Sequence, residues 1–298
     1  MHLGIGLPNA LAPAVNRGLL LDWAKVSDQL GFHTFGTVDH PAYEGFDPIV
    51  ALAAAAAVTE RVRLATTVLQ LPPRNELQVA TQIAAVDRLS GGRVDLGVAL
   101  GGRESDYAAL GTKMKNRGRK IERQIRKIKR AWRAAKKATE EQPSVSGPAP
   151  IQKPMPPIWV GGSVEASLER AIKLGDGYIF GAGGGPQQIK PRIEKLRQMV
   201  TDAKKRRFQI VGLKYVAAGD AQALDDATRL TERYYGGPLW APAEEVFLHG
   251  GGEEILASCK EYEEAGLDLL ILMPQVPDIR QVEVLGSEVL PAFRIPGR

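Results

Sequence analysis

Cysteine is almost absent: Cys259 is the only one in 298 residues, which excludes an intrachain disulfide framework and a cysteine-rich metal site and fits a reducing compartment. No window holds about 18 uncharged apolar residues, so no membrane-spanning helix is expected. The start, MHLGIGLPNALAPAV, lacks the charged n-region and long apolar core of a secretion signal, which makes the cytoplasm the expected location. A GxxxxGK[ST] loop, a GxSxG elbow and a metal-spaced histidine cluster are also missing. Nucleotide hydrolysis, serine hydrolysis and zinc chemistry are therefore disfavoured, and no metal is expected. His2, His33 and His249 stand isolated and are read as structural.

What is present is an alternation. Short apolar or β-branched runs at residues 2–7, 34–38, 62–69, 93–99, 158–160, 177–180, 209–217 and 267–272 each end near Gly, Pro, Asp or Asn. Helical patterns at 19–30, 48–59, 77–89, 116–139, 164–174, 186–204, 221–235 and 252–265 separate them. Eight strands followed by eight helices predict parallel βαβ units. Several strands are apolar without alternation, as expected when both faces are covered. Eight nearly equal units favour a closed (β/α)8 TIM-like barrel over an open doubly wound sheet, as one domain over 1–298. Gly31, Gly175 and Gly266 are expected to end helices in the left-handed conformation. The stretch 140–157, rich in Pro, Ser, Gly and Gln, is read as a loop.

The net charge of +5 hints at an acidic partner, but much of it lies between Lys113 and Lys137. Ile121, Ile125, Ile128 and Trp132 follow one helical face there, so the basic residues read as its solvated side. No nucleic-acid reader motif accompanies them, and no nucleic-acid partner is expected.

In such a barrel the loops after the strands build the active site. Strand two ends in Val38-Asp39-His40-Pro41, which sets a carboxylate beside an imidazole at the mouth, where His suits proton transfer near neutral pH. As a mere strand cap the same pair is unremarkable. Three glycine-rich turns share this rim: Gly101-Gly102-Arg103 after strand four, Gly161-Gly162-Ser163 after strand five and Gly181-Ala182-Gly183 after strand six. Singly each could be only a tight turn. Together, with helices following, they suit a phosphorylated cofactor.

Five ordered blocks carry a resemblance: Val38-Asp39-His40, ERVRLATTVLQLP from Glu60, DRLSGGRVDLGVALGGRESDYAALG from Asp87, PPIWVGGS from Pro156 and LGDGYIFG from Leu174. They resemble the luciferase-like monooxygenase superfamily. The resemblance implies a TIM-like barrel holding FMN or the deazaflavin F420 across the strand ends, with the phosphate near strands five and six. Thr67-Val68 matches the strand-three bulge behind the ring, sometimes a non-proline cis peptide in relatives. Asp39 and His40 match an acidic-plus-His pair at the reactive edge, His40 being the proton donor or acceptor. Gly101, Gly102 and Arg103 match a turn bordering the ring and tail, and Gly161, Gly162, Ser163, Gly181, Ala182 and Gly183 match the phosphate side. In some deazaflavin relatives a Glu follows this turn directly. Here Gly102-Arg103 precedes Glu104, so Glu104 is not carried over as catalytic. Asn9, Tyr43, Tyr107, Tyr235 and Trp240 lie in rim loops and are candidates to line a substrate pocket or simply to pack.

The implied function is hydride transfer between F420 or FMN and a small organic substrate. The Asp-His pair tilts the expectation toward F420, because oxygenating luciferases more often resemble Glu-His-His there. The alternatives are a reduced-FMN monooxygenase using oxygen, a non-catalytic flavin-binding protein and an unrelated phosphate-binding barrel. A separate flavin or F420 reductase and a homodimer are the expected partners.

Overall fold

The computed structural model describes residues 1–11, 13–139, 142 and 147–293. The apolar runs become strands β1 (His2–Gly6), β2 (Thr34–Thr37), β3 (Arg63–Gln70), β4 (Val94–Ala99), β5 (Ile158–Gly161), β6 (Gly177–Phe180), β7 (Gln209–Ala218), β8 (Phe247–Gly250) and β9 (Leu269–Pro274). Every pairing is parallel, and β1 lies between β2 and β9, β9 beside β7 and β7 beside β6. The sheet thus closes on itself through eight strands. Helices separate the strands, so the architecture is a TIM barrel, as the alternation predicts.

The helices are α1 (Arg17–Leu30), α2 (Pro48–Ala56), α3 (Glu76–Leu89), α4 (Glu104–Ala109), α5 (Arg117–Ala135), α6 (Glu165–Leu174), α7 (Pro186–Asp202), α8 (Ala221–Tyr235), α9 (Ala243–Val246), α10 (Gly252–Glu264) and α11 (Arg280–Val284). Side chains of Asn16, Asp47, Asn75 and Asp220 cap the N-termini of α1, α2, α3 and α8, accepting from otherwise orphaned N–H groups. The periodic face of α5 behaves as predicted: Ile121, Ile125, Ile128 and Trp132 are buried, and Trp132 Nε1 donates to the Ala80 carbonyl at 2.9 Å.

The structure departs from the sequence reading in several places. A ninth strand, β8, follows the short helix α9. β7 explains its presence: residues 209–212 pair with β6, whereas residues 215–218 have left β6 and pair with β8. β8 therefore wedges into the C-terminal rim between β6 and β7, where four residues without periodicity gave no strand signal. α4 and α11 are likewise too short to show a period. Gly31 and Gly266 are left-handed at the helix ends, at φ of 90° and 99°, but Gly175 is extended at φ −98°. A β-carbon on Gly175 would sit 3.0 Å from the Ala171 carbonyl and 3.1 Å from that of Ile158, so close backbone approach selects glycine there. Within 140–157, residues 140–141 and 143–146 lie outside the described residues; the remainder has no helix or strand, and Lys153–Pro154 is cis.

At the opposite, N-terminal face, aspartates pin the loops that lead into strands, Asp28 from a buried position and Asp176 and Asp268 from half-buried ones. Asp28 accepts the N–H groups of Glu60, Arg61 and Val62 at 3.1, 3.0 and 2.7 Å. Asp176 accepts from Ile158 N–H and Asp268 from Ile210 N–H. Burial opposes the charge of Asp28, but the three N–H donors and Arg61 prevail and hold its carboxyl below 3.8. A group with a depressed pKa stabilises the fold above its unfolded value and loses that contribution as pH falls through the folded one. Asp28→Ala should lower unfolding free energy by about 1–3 kcal/mol, since three donors lose their acceptor. Urea denaturation at neutral pH and near pH 3 checks this, with a smaller gap between variant and parent in acid.

Candidate active site

The barrel mouth is organised by a carboxylate that the dipeptide reading missed. His40, just past β2, directs Nδ1 at Asp106 Oδ1 over 2.5 Å. A carboxylate oxygen can only accept, so Nδ1 carries the proton and the neutral ring has the Nδ1–H tautomer. Asp106 lies on α4, is fully buried, and also accepts from Ala42 N–H at 3.1 Å and Gln70 Nε2 at 2.6 Å. Arg103 Nη1 stands 4.0 Å from its second oxygen. The loop after β2, the end of β3 and the helix after β4 meet at this one group.

Asp39 does not join His40. Its side chain turns the other way, where Arg74 reaches Oδ1 at 2.7 Å and Gln70 N–H reaches Oδ2 at 2.8 Å. Successive side chains at a strand end face opposite sides, and Pro41 does not overcome this. Burial raises the Asp39 carboxyl above its usual range, with Arg74 and the Gln70 amide pulling the other way. His40 is displaced downward from 6.5, by burial first and then by the Arg103 charge, against Asp106 and the Tyr234 backbone. A cleft of about 220 Å³ opens beside His40, bordered by Asn9, Asp39, Tyr43, Phe46 and Arg74.

Aromatic rings close the other side of the mouth. Tyr43 stacks on His40 with centroids 5.3 Å apart, and Tyr234 meets it edge-on at 5.2 Å. Arg103 lies 4.8 Å from the rings of both Tyr234 and Tyr235, and the Tyr235 hydroxyl is 2.7 Å from that of Tyr215. Tyr235 and Trp240 are partly exposed and pack at 5.1 Å. Asn9 is a staple, its amide donating to the Val38 and Phe46 carbonyls while it accepts from Val38 N–H. Tyr107 is buried, with its hydroxyl on the Leu100 carbonyl. Of the two readings the sequence left open for Tyr107, this contact is packing.

The expected cofactor turns share this end of the barrel. Thr67–Val68 is cis and lies in a register shift between β3 and β4. Gly101 is left-handed, and a β-carbon there would collide with the Gln70 side-chain carbonyl, a buried oxygen that has no partner among the described residues. Gly162, Ser163, Gly181 and Gly183 are exposed and Ala182 is buried. Beneath the Gly161-Gly162-Ser163 turn, Tyr178 donates to the Gly162 carbonyl, and Arg192 donates to Tyr178 at 3.1 Å. That carbonyl is thereby turned inward. α6 then starts without a side-chain cap. Open glycines, an uncapped helix start and an orphaned buried acceptor fit a planar phosphorylated cofactor with a ring N–H.

Asp106, Gln70, Arg74, Tyr215 and Tyr234 were not singled out in the sequence. Only Asp106 left a signal, as an acidic residue within the ESDYAALG block.

A closed parallel barrel carries a His-Asp dyad and glycine-rich turns on its C-terminal rim, the end at which barrel enzymes build their active sites. The luciferase-like monooxygenase family model matches residues 1–278, and the chain belongs to this family. The uncharacterised protein Rv0940c of Mycobacterium tuberculosis is 31% identical over 193 residues, covering 63% of this chain and 64% of that protein. The oxygenase component of the flavin-dependent trigonelline monooxygenase of Acinetobacter baylyi is 24% identical over 92% of this chain and 89% of its own. Among solved structures, monooxygenase RslO1 of Streptomyces bottropensis superposes with a TM-score of 0.82 at 23% identity, covering 99% of this chain and all of that one. An F420-dependent secondary alcohol dehydrogenase does so at 0.79 and 17%, covering 99% of each. Both show the shared fold.

Asp106→Asn removes a charge that favours imidazolium, so the pKa of His40 should fall further below 6.5. NMR titration of the His40 ring checks the sign, and an upward shift would contradict the dyad.

Proposed function

We propose that the chain is a two-electron oxidoreductase that moves hydride between the deazaflavin F420 and a small organic substrate. The observation that carries this reading is the His40–Asp106 dyad at the mouth beside the β3 bulge: a neutral imidazole with a fixed tautomer suits proton exchange with a substrate oxygen. When bound, a flavin or deazaflavin supplies the two-electron chemistry, and the protein supplies binding, orientation and electrostatics. The backbone at Gly161, Gly162, Ser163, Gly181, Ala182 and Gly183 would hold the phosphate. Thr67 and Val68 would back the ring, with Gly101, Gly102 and Arg103 along its border.

His40 takes the hydroxyl proton when the substrate is oxidised and returns it in reduction. Asp106 keeps Nδ1 protonated and leaves Nε2 for that exchange. Asp39 acts at one remove, holding Arg74 and the Gln70 amide. Asn9, Tyr43, Tyr235 and Trp240 surround the substrate and limit water. The chain is read as one domain acting in the cytoplasm.

A second reading, reduced-FMN monooxygenation fed by a separate flavin reductase, is favoured by the resemblance to the trigonelline monooxygenase over 92% of the chain. A homodimer is proposed through α2, whose sequence PIVALAAAA is apolar on every side and leaves Val50 60% exposed. Light scattering is expected to return twice the chain mass.

Titration of the apoprotein with F420 and with FMN, followed by absorbance and fluorescence, should show preferential F420 binding. Preferential FMN binding would replace the first reading by the second. His40→Ala should reduce kcat/KM about a hundredfold or more while retaining cofactor. Retained turnover would sink the assignment of His40, and a cofactor-binding protein without any turnover would be non-catalytic.

A further inference from the structure

Five of the eight residues from Lys113 to Lys120 are basic and none is acidic. They occupy the C-terminal rim, between α4 and the first turn of α5, where Arg117 Nη1 donates to the Gly101 carbonyl at 3.0 Å. Lys113, Lys115 and Arg119 are exposed. Among the described residues no carboxylate lies within ion-pair distance of these five. Further along α5 some of the cations are paired: Arg126 meets Glu122, Lys127 meets Glu76 and Lys129 meets Asp176. Arg123, Arg130 and Arg133 of α5 make no ion pair among the described residues either, but only the Lys113 to Lys120 run lies at the active-site rim.

Its position is electrostatically adverse. The N-terminus of a helix carries partial positive charge, and cations there repel it while carboxylates stabilise it. α5 nevertheless starts with Arg117, Arg119 and Lys120, without an acidic residue in its first turn or a side-chain cap, whereas α1, α2, α3 and α8 all have side-chain caps. α6 packs beside it: Arg170 of α6 lies 3.7 Å from Glu122 and close to Gly118. The α6 start follows directly on the Gly161-Gly162-Ser163 turn and is also uncapped. Nearby acids are already engaged, Glu165 with Lys195 and Glu122 with Arg126, Arg170 and Lys173. Glu104, exposed on α4, makes no ion pair among the described residues. Two adjacent helix N-termini and a row of cations make a positive shelf that starts at the phosphate turn and runs outward.

We propose that this shelf, Lys113 to Lys120, binds the anionic tail that continues beyond the cofactor phosphate. The inference rests on the deazaflavin reading and deepens it. FMN ends at its phosphate, whereas F420 continues through a phosphodiester into a lactyl oligoglutamate chain that carries several carboxylates. A flexible chain of that kind needs cations spread along a path rather than a closed pocket. Exposed cations of this sort add charge-dependent affinity and are screened by salt.

The test uses the full-length protein and two forms of the cofactor, F420 with several glutamates and the deazaflavin phospholactate with none, titrated by fluorescence at low and high salt. The tailed form is expected to bind about tenfold more tightly at low salt. This advantage should vanish at high salt and in the Lys113→Glu/Lys115→Glu/Arg119→Glu variant, which alters exposed residues alone. Affinity for the tail-less form should be unchanged in that variant. Equal binding of both forms by the parent protein overturns the tail site and leaves the deazaflavin reading standing. Equal loss of both forms in the variant overturns it too. Absence of binding to either form removes the deazaflavin reading and the tail site with it. Random-sequence DNA bound through these residues, with no tail dependence, would reassign the shelf to nucleic acid.

Discussion

The carboxylate of Asp106 is the point on which the mouth of the barrel depends. A charge withdrawn from water is tolerable only when donors surround it, and here the donors come from two different segments: the His40 ring and Ala42 amide after β2, and the Gln70 side chain at the end of β3. Gln70 has a second duty, donating through the same Nε2 to the Asp39 carbonyl at 2.9 Å. Asp39 in turn receives Arg74, which also reaches Asp47 at 3.2 Å, the cap of α2. One buried anion thus starts a chain of hydrogen bonds running from α4 across two strand ends to a helix start. Loops that would otherwise move separately share a single geometry.

The parts of this arrangement that were legible in the sequence are those with a local cause. Strands announced themselves by apolar runs, α5 by its isoleucine spacing, and the glycine-rich turns by composition. What escaped has a non-local cause. Asp106 is 66 residues from His40, and nothing in a βα period tells which carboxylate will face which imidazole once the barrel closes. Asp39, adjacent in sequence, was the tempting partner, yet the alternation of strand side chains sends it toward Arg74. β8 is invisible for a related reason: a four-residue strand exists there because β7 outruns β6, which is a fact about two neighbours rather than about Phe247 to Gly250.

The two ends of the barrel use their polar groups differently. At the N-terminal face, Asp28, Asp176 and Asp268 accept backbone N–H groups and hold loops in place. At the C-terminal face the glycine turns leave backbone amides uncovered, and the neutral imidazole keeps one nitrogen outside the carboxylate bond. Stability and chemistry are thereby assigned to opposite ends, as barrel enzymes generally arrange them.

The mouth itself is lopsided. Its β2–β4 side is an anvil, locked by buried ionic hydrogen bonds around Asp106 and Asp39. Its β7–β8 side is a jaw: Tyr234, Tyr235 and Trp240 rest on one another and on Arg103, and the exposed Arg233–Glu44 pair latches the end of α8 across to the loop after β2. Stacked rings slide and exposed ion pairs yield to salt, while buried carboxylate networks do neither. Whatever enters this barrel passes between a rigid wall and a softer one, and the imidazole it meets is already aimed.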